Sequence, residues 1–207
     1  FLWPALSATD KSAQTQTLHE LWVTLQNSSK HFQGDAVLGA HNAEAQIELA
    51  SLIVGGKEEL KKRPIISMIV CPLAPLSFEK GAIESQIAFA RAGVPIVSLS
   101  MTIGALSAPI TVGGMMLTTN AENLASIVIT QAAEEGAPHI YAAESSPMNL
   151  VTGNINYEAP EFGLVQCGMA QMAKRYNLPA FTGDFSGFSI GSDQRDRKST
   201  RLNSSHK

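Results

Sequence analysis

One punctuation mark, used three times, constrains the fold of this chain more than any other feature. Ala92-Gly93-Val94-Pro95, Glu135-Gly136-Ala137-Pro138 and Tyr176-Asn177-Leu178-Pro179 each end a helix-like stretch and open a β-rich run. Gly and Asn accept the left-handed conformation that closes a helix, and a proline two residues later cannot continue it. The runs that follow, residues 95–101 (PIVSLSM), 138–143 (PHIYAA) and 179–185, are short. Together with residues 65–71 (IISMIVC), the first two are nearly continuously apolar. Strands of that kind are buried on both faces, as in a parallel sheet covered by helices.

The same reading, extended over the chain, predicts six strands and five main helices. The two further strands are residues 1–8 and, more weakly patterned, 31–38. The helices are residues 14–27, 42–54, 80–92, 120–135 and 159–176, with a short charged extension at 57–62. In the first helix Leu18, Leu21, Trp22 and Leu25 recur at one-face spacing. Strand–helix alternation of this length means right-handed βαβ units, either a (β/α)8 barrel or an open doubly wound sheet. No GxGxxG follows the first strand, and the strand-to-helix loops are long. We therefore expect an α/β fold, a TIM (β/α)8 barrel that is incomplete, with about six of eight units present. Its strands should curl in chain order, with helices outside only and the first and sixth strands as edges.

Composition sets the remaining bounds. Hydrophobic residues make up 44% and charged residues 16%, which excludes a disordered chain. No apolar run approaches the ~18–20 residues of a membrane span. The chain opens on Phe1, and residues 1–7 lack the basic flank of a signal peptide. We expect the interior of a longer, cytoplasmic protein, in which Cys71 and Cys167 are reduced, small core residues. Residues 196–207 (DRKSTRLNSSHK) abandon apolar periodicity and resemble translated adaptor DNA. They read as a non-native tail after a domain of residues 1–195. Setting aside four basic residues (Arg197, Lys198, Arg201, Lys207) and Asp196 from totals of 15 and 18 leaves 11 basic against 17 acidic. That balance argues against nucleic acid or an anionic membrane as partner. His19, His31, His41 and His139 lack HxH or HExxH spacing, so no metal site is expected.

Two loops carry a family likeness. Cys71-Pro-Leu-Ala-Pro-Leu-Ser-Phe-Glu79 follows the third strand. The next loop holds Gly104-Ala-Leu-Ser-Ala-Pro109-Ile-Thr111-Val-Gly113 and leads to Asn120-Ala-Glu122. With Thr17-Leu-His-Glu20 and Gly136-Ala-Pro138, they resemble the central segments of the trimethylamine methyltransferase family, over residues 1 to about 193. The resemblance implies a TIM barrel that moves a methyl group from an N-methylated amine, trimethylamine or a quaternary amine such as glycine betaine, to a corrinoid protein. The corrinoid would be carried by that partner, with no cofactor bound directly. Trimethylamine-specific members use a pyrrolysine, whose position would fall beyond this sequence, and self-association is left open.

A methylammonium group is a poorly hydrated cation, held best by aromatic faces and a nearby carboxylate. The strand-end candidates for substrate binding are Phe78, Glu79, Glu144, Asp184 and Phe185. Glu79 reads equally as a first-turn charge on the next helix, and Asn120–Glu122 as a helix start. Two other readings are weighed. Gly187-Phe188-Ser189-Ile190-Gly191 matches a nucleophile elbow, but residues 192–195 offer no apolar face for the helix it needs, and only His206 follows. A non-catalytic barrel that binds quaternary amines is the second.

Overall fold

The computed structural model describes residues 7–35 and 37–182. The strand expected over residues 1–8 therefore lies outside the described residues, apart from Ser7 and Ala8, which are not in a strand. So do Asp184, Phe185, the Gly187–Gly191 motif and the tail.

Within that range the chain alternates strand and helix. The order is α1 (Gln16–Asn27), β1 (Phe32–Gly34), α2 (Ala40–Val54), α3 (Lys57–Lys62), β2 (Ile66–Val70), α4 (Lys80–Arg91), β3 (Ile96–Ser100), β4 (Ile103–Gly104), α5 (Val112–Ala133), β5 (His139–Ala143), β6 (Ser146–Pro147), α6 (Pro160–Arg175) and β7 (Ala180–Thr182). Strands β1, β2, β3, β5 and β7 form one parallel sheet in that order. The sheet curls into a half-barrel, with β1 and β7 as its edges among the described residues.

Side chains alternate across the strands and sort into two faces. Phe32, Ile66, Met68, Val70 and Ile96 pack with Leu21, Ile47, Leu60 and Phe89 of the helices, and Tyr141 and Ala143 pack with Met115, Val165 and Met169. The opposite face gathers Ile69, Val97, Leu99 and Ala142, with Cys71, Met101, Ile140 and Phe181 against them, and no helix residue joins that cluster. The described helices thus cover one face, and the other is the concave interior.

The junction grammar works as the residue types require. Gly93, Gly136 and Asn177 have φ of 72°, 81° and 57°. Val94 N–H reaches back to the Phe89 carbonyl (3.0 Å) and Leu178 N–H to that of Ala173 (2.9 Å), which closes each helix. The carbonyls of Pro95, Pro138 and Pro179 accept from Met68, Ile96 and Tyr141 at 3.0, 3.1 and 2.9 Å. Each proline gives the ladder an acceptor at the one strand position where a missing N–H does no harm.

Two glycines at these junctions should respond differently to alanine. A Cβ at Gly93 would lie 3.3 Å from Lys61 Cα and closer still to its side chain, while one at Gly136 meets nothing within 4 Å. We expect Gly136→Ala to cost about 1 kcal/mol, from the positive φ alone, and Gly93→Ala about 2–3 kcal/mol. Urea unfolding of the two variants checks this; equal costs would rule out the steric part.

The helix expected from residue 120 starts eight residues earlier, at Val112. Thr111 caps it, its hydroxyl accepting from Gly114 N–H at 3.1 Å. Asn120 and Glu122 are therefore mid-helix. The sequence concealed the first two turns because Gly113-Gly114 and Thr118-Thr119 are poor helix formers held here by packing.

The two-residue strands β4 and β6 were also unanticipated. Their register, Ile103 to Ser146, keeps the 43-residue offset of the β3–β5 ladder, where Ser100 pairs with Ala143. They extend that ladder into the loops after an interruption at Met101-Thr102 and Glu144-Ser145.

Candidate functional site

Parallel strands deliver their carboxyl ends to one rim, where the residue that follows each strand stands. Asp35 follows β1, Cys71 β2, Met101 β3 and Glu144 β5. By alternation all four share the concave face with Ile69, Leu99 and Ala142.

Electrostatics tie three of these positions together. Burial pushes the Cys71 thiol up to about 11, and the charges of Asp35 and Glu144 add to the effect. Cys71 is therefore a protonated thiol and a poor nucleophile at neutral pH. Tyr157, from the loop between β6 and α6, has its phenol raised by burial and then by Glu144. Its ring meets Phe162 edge-on, centroids 5.4 Å apart. The rim thus combines two carboxylates with an aromatic ring, and Phe181 of β7 adds a second ring on the same face. This arrangement suits a small organic cation.

Beneath the rim, on the helix side, a polar layer fixes the loops. Thr102, Thr119 and Ser145 join their hydroxyls at 2.7–3.0 Å. Asn123 donates to the Ala142 carbonyl at 2.9 Å, and Gln166 to that of Ser145 at 3.1 Å. Glu122, 1% exposed, accepts from Ser100 Oγ at 2.6 Å and from Leu76 N–H at 2.9 Å. Leu76 has φ of 54° and lies within a tight turn closed by Leu73 and Ser77, whose backbones bond mutually at 2.7 and 3.1 Å. The carboxylate on α5 therefore anchors the loop that carries Phe78.

The site residues expected from sequence fall in four groups. Glu144 is at the rim, partly buried, among Cys71 and Tyr157. Phe78 is partly buried at the end of the anchored turn. Glu79 is exposed and caps α4, its carboxylate accepting from Ala82 N–H at 2.8 Å; backbone hydrogen bonds from Gly81 and Ala82 hold its carboxyl below the ordinary range. Asp184 and Phe185 lie outside the described residues. Asp35 and Tyr157 were missed. Asp35 follows a three-residue strand too short to show a pattern, and Tyr157 stands in a loop with no periodicity to place it. Cys167, expected in the core, is exposed on α6.

His31 sits between the Pro64 carbonyl and Ser67 Oγ (2.8 Å), and burial lowers its pKa. His139 lies at the opposite end of the sheet, at the start of β5. Among the described residues no three His, Cys, Asp or Glu side chains converge as a metal site would require. No described helix is long and apolar enough to cross a membrane.

Comparison with known proteins adds the following. A family model described as trimethylamine methyltransferase (MTTB) matches residues 4–200. The trimethylamine methyltransferase MttB of Desulfitobacterium hafniense is 35% identical over 165 residues, 79% of this chain and 33% of that protein. MttB1 of Methanosarcina mazei is 35% identical over 198 residues, 94% of this chain and 40% of its own length. A glycine betaine methyltransferase of Desulfitobacterium hafniense is 30% identical over 166 residues, 80% and 34% respectively. The chain spans between a third and two fifths of the length of these relatives.

Proposed function

We propose that this chain, which belongs to the trimethylamine methyltransferase family, forms the substrate-holding part of a TIM-barrel enzyme that takes a methyl group from an N-methylated amine. Trimethylamine and glycine betaine, named in the relatives, bracket the substrate class. The acceptor is the Co(I) corrinoid of a partner protein, in the cytoplasm. The observation that carries the reading is the carboxyl-end rim, where Asp35 and Glu144 face the same interior as Tyr157 and Phe181.

The corrinoid supplies the electron pair that receives the methyl group, so this chain need not provide a nucleophile. The C–N bond breaks, its electron pair stays on nitrogen, and a neutral amine leaves. A quaternary amine is already activated; a tertiary one must keep its proton, which a neighbouring carboxylate favours. The residues present fit this division. The rim offers carboxylates and aromatic rings for a cation and a protonated thiol, while the described imidazoles of His31 and His139 are engaged elsewhere. Glu144, Asp35 and Asp184 neutralise the cation; Phe78, Tyr157, Phe181 and Phe185 wall it from water. Positioning and electrostatics are then the protein's contribution to rate.

The test is the full-length protein with its cognate corrinoid protein, assayed with trimethylamine, glycine betaine and related amines. Methylation of the corrinoid protein is the expected result; its absence with every amine would end the reading. Glu144→Gln and Asp184→Asn should each weaken ammonium binding by roughly 1–3 kcal/mol, the scale of a charge-assisted contact. Normal binding by both variants would move the site elsewhere.

A further inference from the structure

Helix α5 lies in the outer layer between α4 and α6, yet its solvent face is built unlike theirs. Its 22 residues include one charge, Glu122, and that carboxylate is buried against Ser100 of the sheet. Every exposed residue in it is Gly, Ala, Leu or Val, among them Gly113, Leu117, Ala121, Leu124, Val128 and Ala132. Leu117 is 71% exposed and Val128 66%. The neighbouring helices meet water in the ordinary way. Helix α4 exposes Lys80, Glu84 and Arg91, and α6 exposes Glu161, Lys174 and Arg175. A helix that is apolar all round is one that buries both of its faces.

The stripe also has a symmetry of its own. Its positions pair about the point between Glu122 and Asn123. Ala121 and Leu124 are equidistant from that point, as are Leu117 and Val128, and Gly113 and Ala132. Turned end over end onto a second copy, the stripe sets Leu117 against Val128 and Leu124 against Ala121, with the smallest residues meeting at the ends. That is the self-complementarity an isologous twofold contact requires. At 1.5 Å per residue the stripe runs about 28 Å. Its small residues let two helix axes approach to about 8 Å.

We propose that α5 is the centre of a twofold interface between two copies of this protein, with the two α5 helices antiparallel and crossing at that point. The lack of charge favours a second copy as the occupant, because a stripe of one sign would oppose its own charge across a twofold axis. Area agrees with it. Together with Leu164 of α6, which is 60% exposed, the stripe carries roughly 600 Å² of apolar surface. The charged flanks on α4 and α6 then bring the face to the ~800 Å² per partner of a standard interface, as a polar rim around an apolar centre. Helix α5 covers the face of the sheet opposite the concave interior, so the pairing leaves the acidic site of each copy open.

The experiment reads the particle mass of the full-length protein by analytical ultracentrifugation. Leu117→Glu and Val128→Lys are made separately, with Leu52→Glu at a 74% exposed position of α2 as control. We expect the unsubstituted protein and the control to share one mass, and each α5 variant to show half of it at micromolar concentration. Mixing the two α5 variants in equal amounts should restore the original mass. The antiparallel register sets the new carboxylate at position 117 of one copy beside the new ammonium at position 128 of the other. Variants that keep the full mass overturn the proposal, as does an unsubstituted protein that runs as a monomer. Halved variants that fail to recombine place the contact in another register and overturn it equally. Should either substitution lower the melting temperature, mixing should restore it. A loss that mixing does not restore assigns the stripe to another segment of the same polypeptide, which also overturns the proposal.

Discussion

Lowering the pH from 7 to 4 should remove on the order of 3 kcal/mol of folding stability through one residue, His139. It is 6% exposed at the start of β5, with Nδ1 3.1 Å from Thr130 Oγ1 and Nε2 without a protein partner. Burial lowers its pKa from 6.5 to about 4. The folded chain therefore refuses a proton that the unfolded chain accepts. The contribution is whole above about pH 6.5, shrinks as pH falls through the window, and is gone below about pH 4. His31, also lowered by burial, adds in the same direction. Urea midpoints between pH 7 and pH 4 measure the loss, and His139→Gln should flatten the curve. A midpoint constant from pH 7 to pH 5 would show that the seam around His139 accommodates the charge.

His139 also shows where sequence reading reaches its limit. Its strand was legible because PHIYAA is short, apolar and opened by proline, and the strand lies at His139–Ala143. What the side chain faces was not legible. The seam of Gln86, Ser126, Thr130 and His139 joins residues from α4, α5 and β5 that no local pattern links. The same division holds at the site. Glu144 could be found because it ends an apolar run, whereas its neighbours Asp35 and Tyr157 become visible only once the strands are side by side. The β2, β3 and β5 strands and the junctions were readable, since backbone conformation is set by nearby residues. Helix α5 was half readable because its first turns are stabilised by packing.

Glu122 is the costliest consequence of that half-hidden helix. Taken as a first-turn charge it would tolerate replacement; placed mid-helix and buried, it should not. It is the one charged residue in the 22 of α5, and its two oxygens hold Ser100 on β3 and the Leu76 turn of the neighbouring loop. Glu122→Ala leaves a buried hydroxyl and a part-buried N–H unpaired and should cost about 2–4 kcal/mol. Glu122→Gln keeps the shape, and the Ser100 hydroxyl can turn to accept from the new NH2, but both charge-assisted bonds become neutral ones, at about 1–2 kcal/mol. Ser100→Ala should cost about 1–2 kcal/mol alone. In the Glu122→Gln background it should cost less, because the charge assistance of the bond it removes is already gone. Hydrogen exchange separates anchoring from general stability. In Glu122→Ala the Leu76 amide should exchange far faster, while amides of the β3 ladder, such as Val97, slow or quicken only with global stability. Additive losses in the cycle, or an unchanged Leu76 amide, would remove Glu122 as the anchor of the turn. If the anchor holds, the turn that presents Leu73, Leu76 and Phe78 keeps its place through a carboxylate on α5, and its loss should reach amine binding as well as stability.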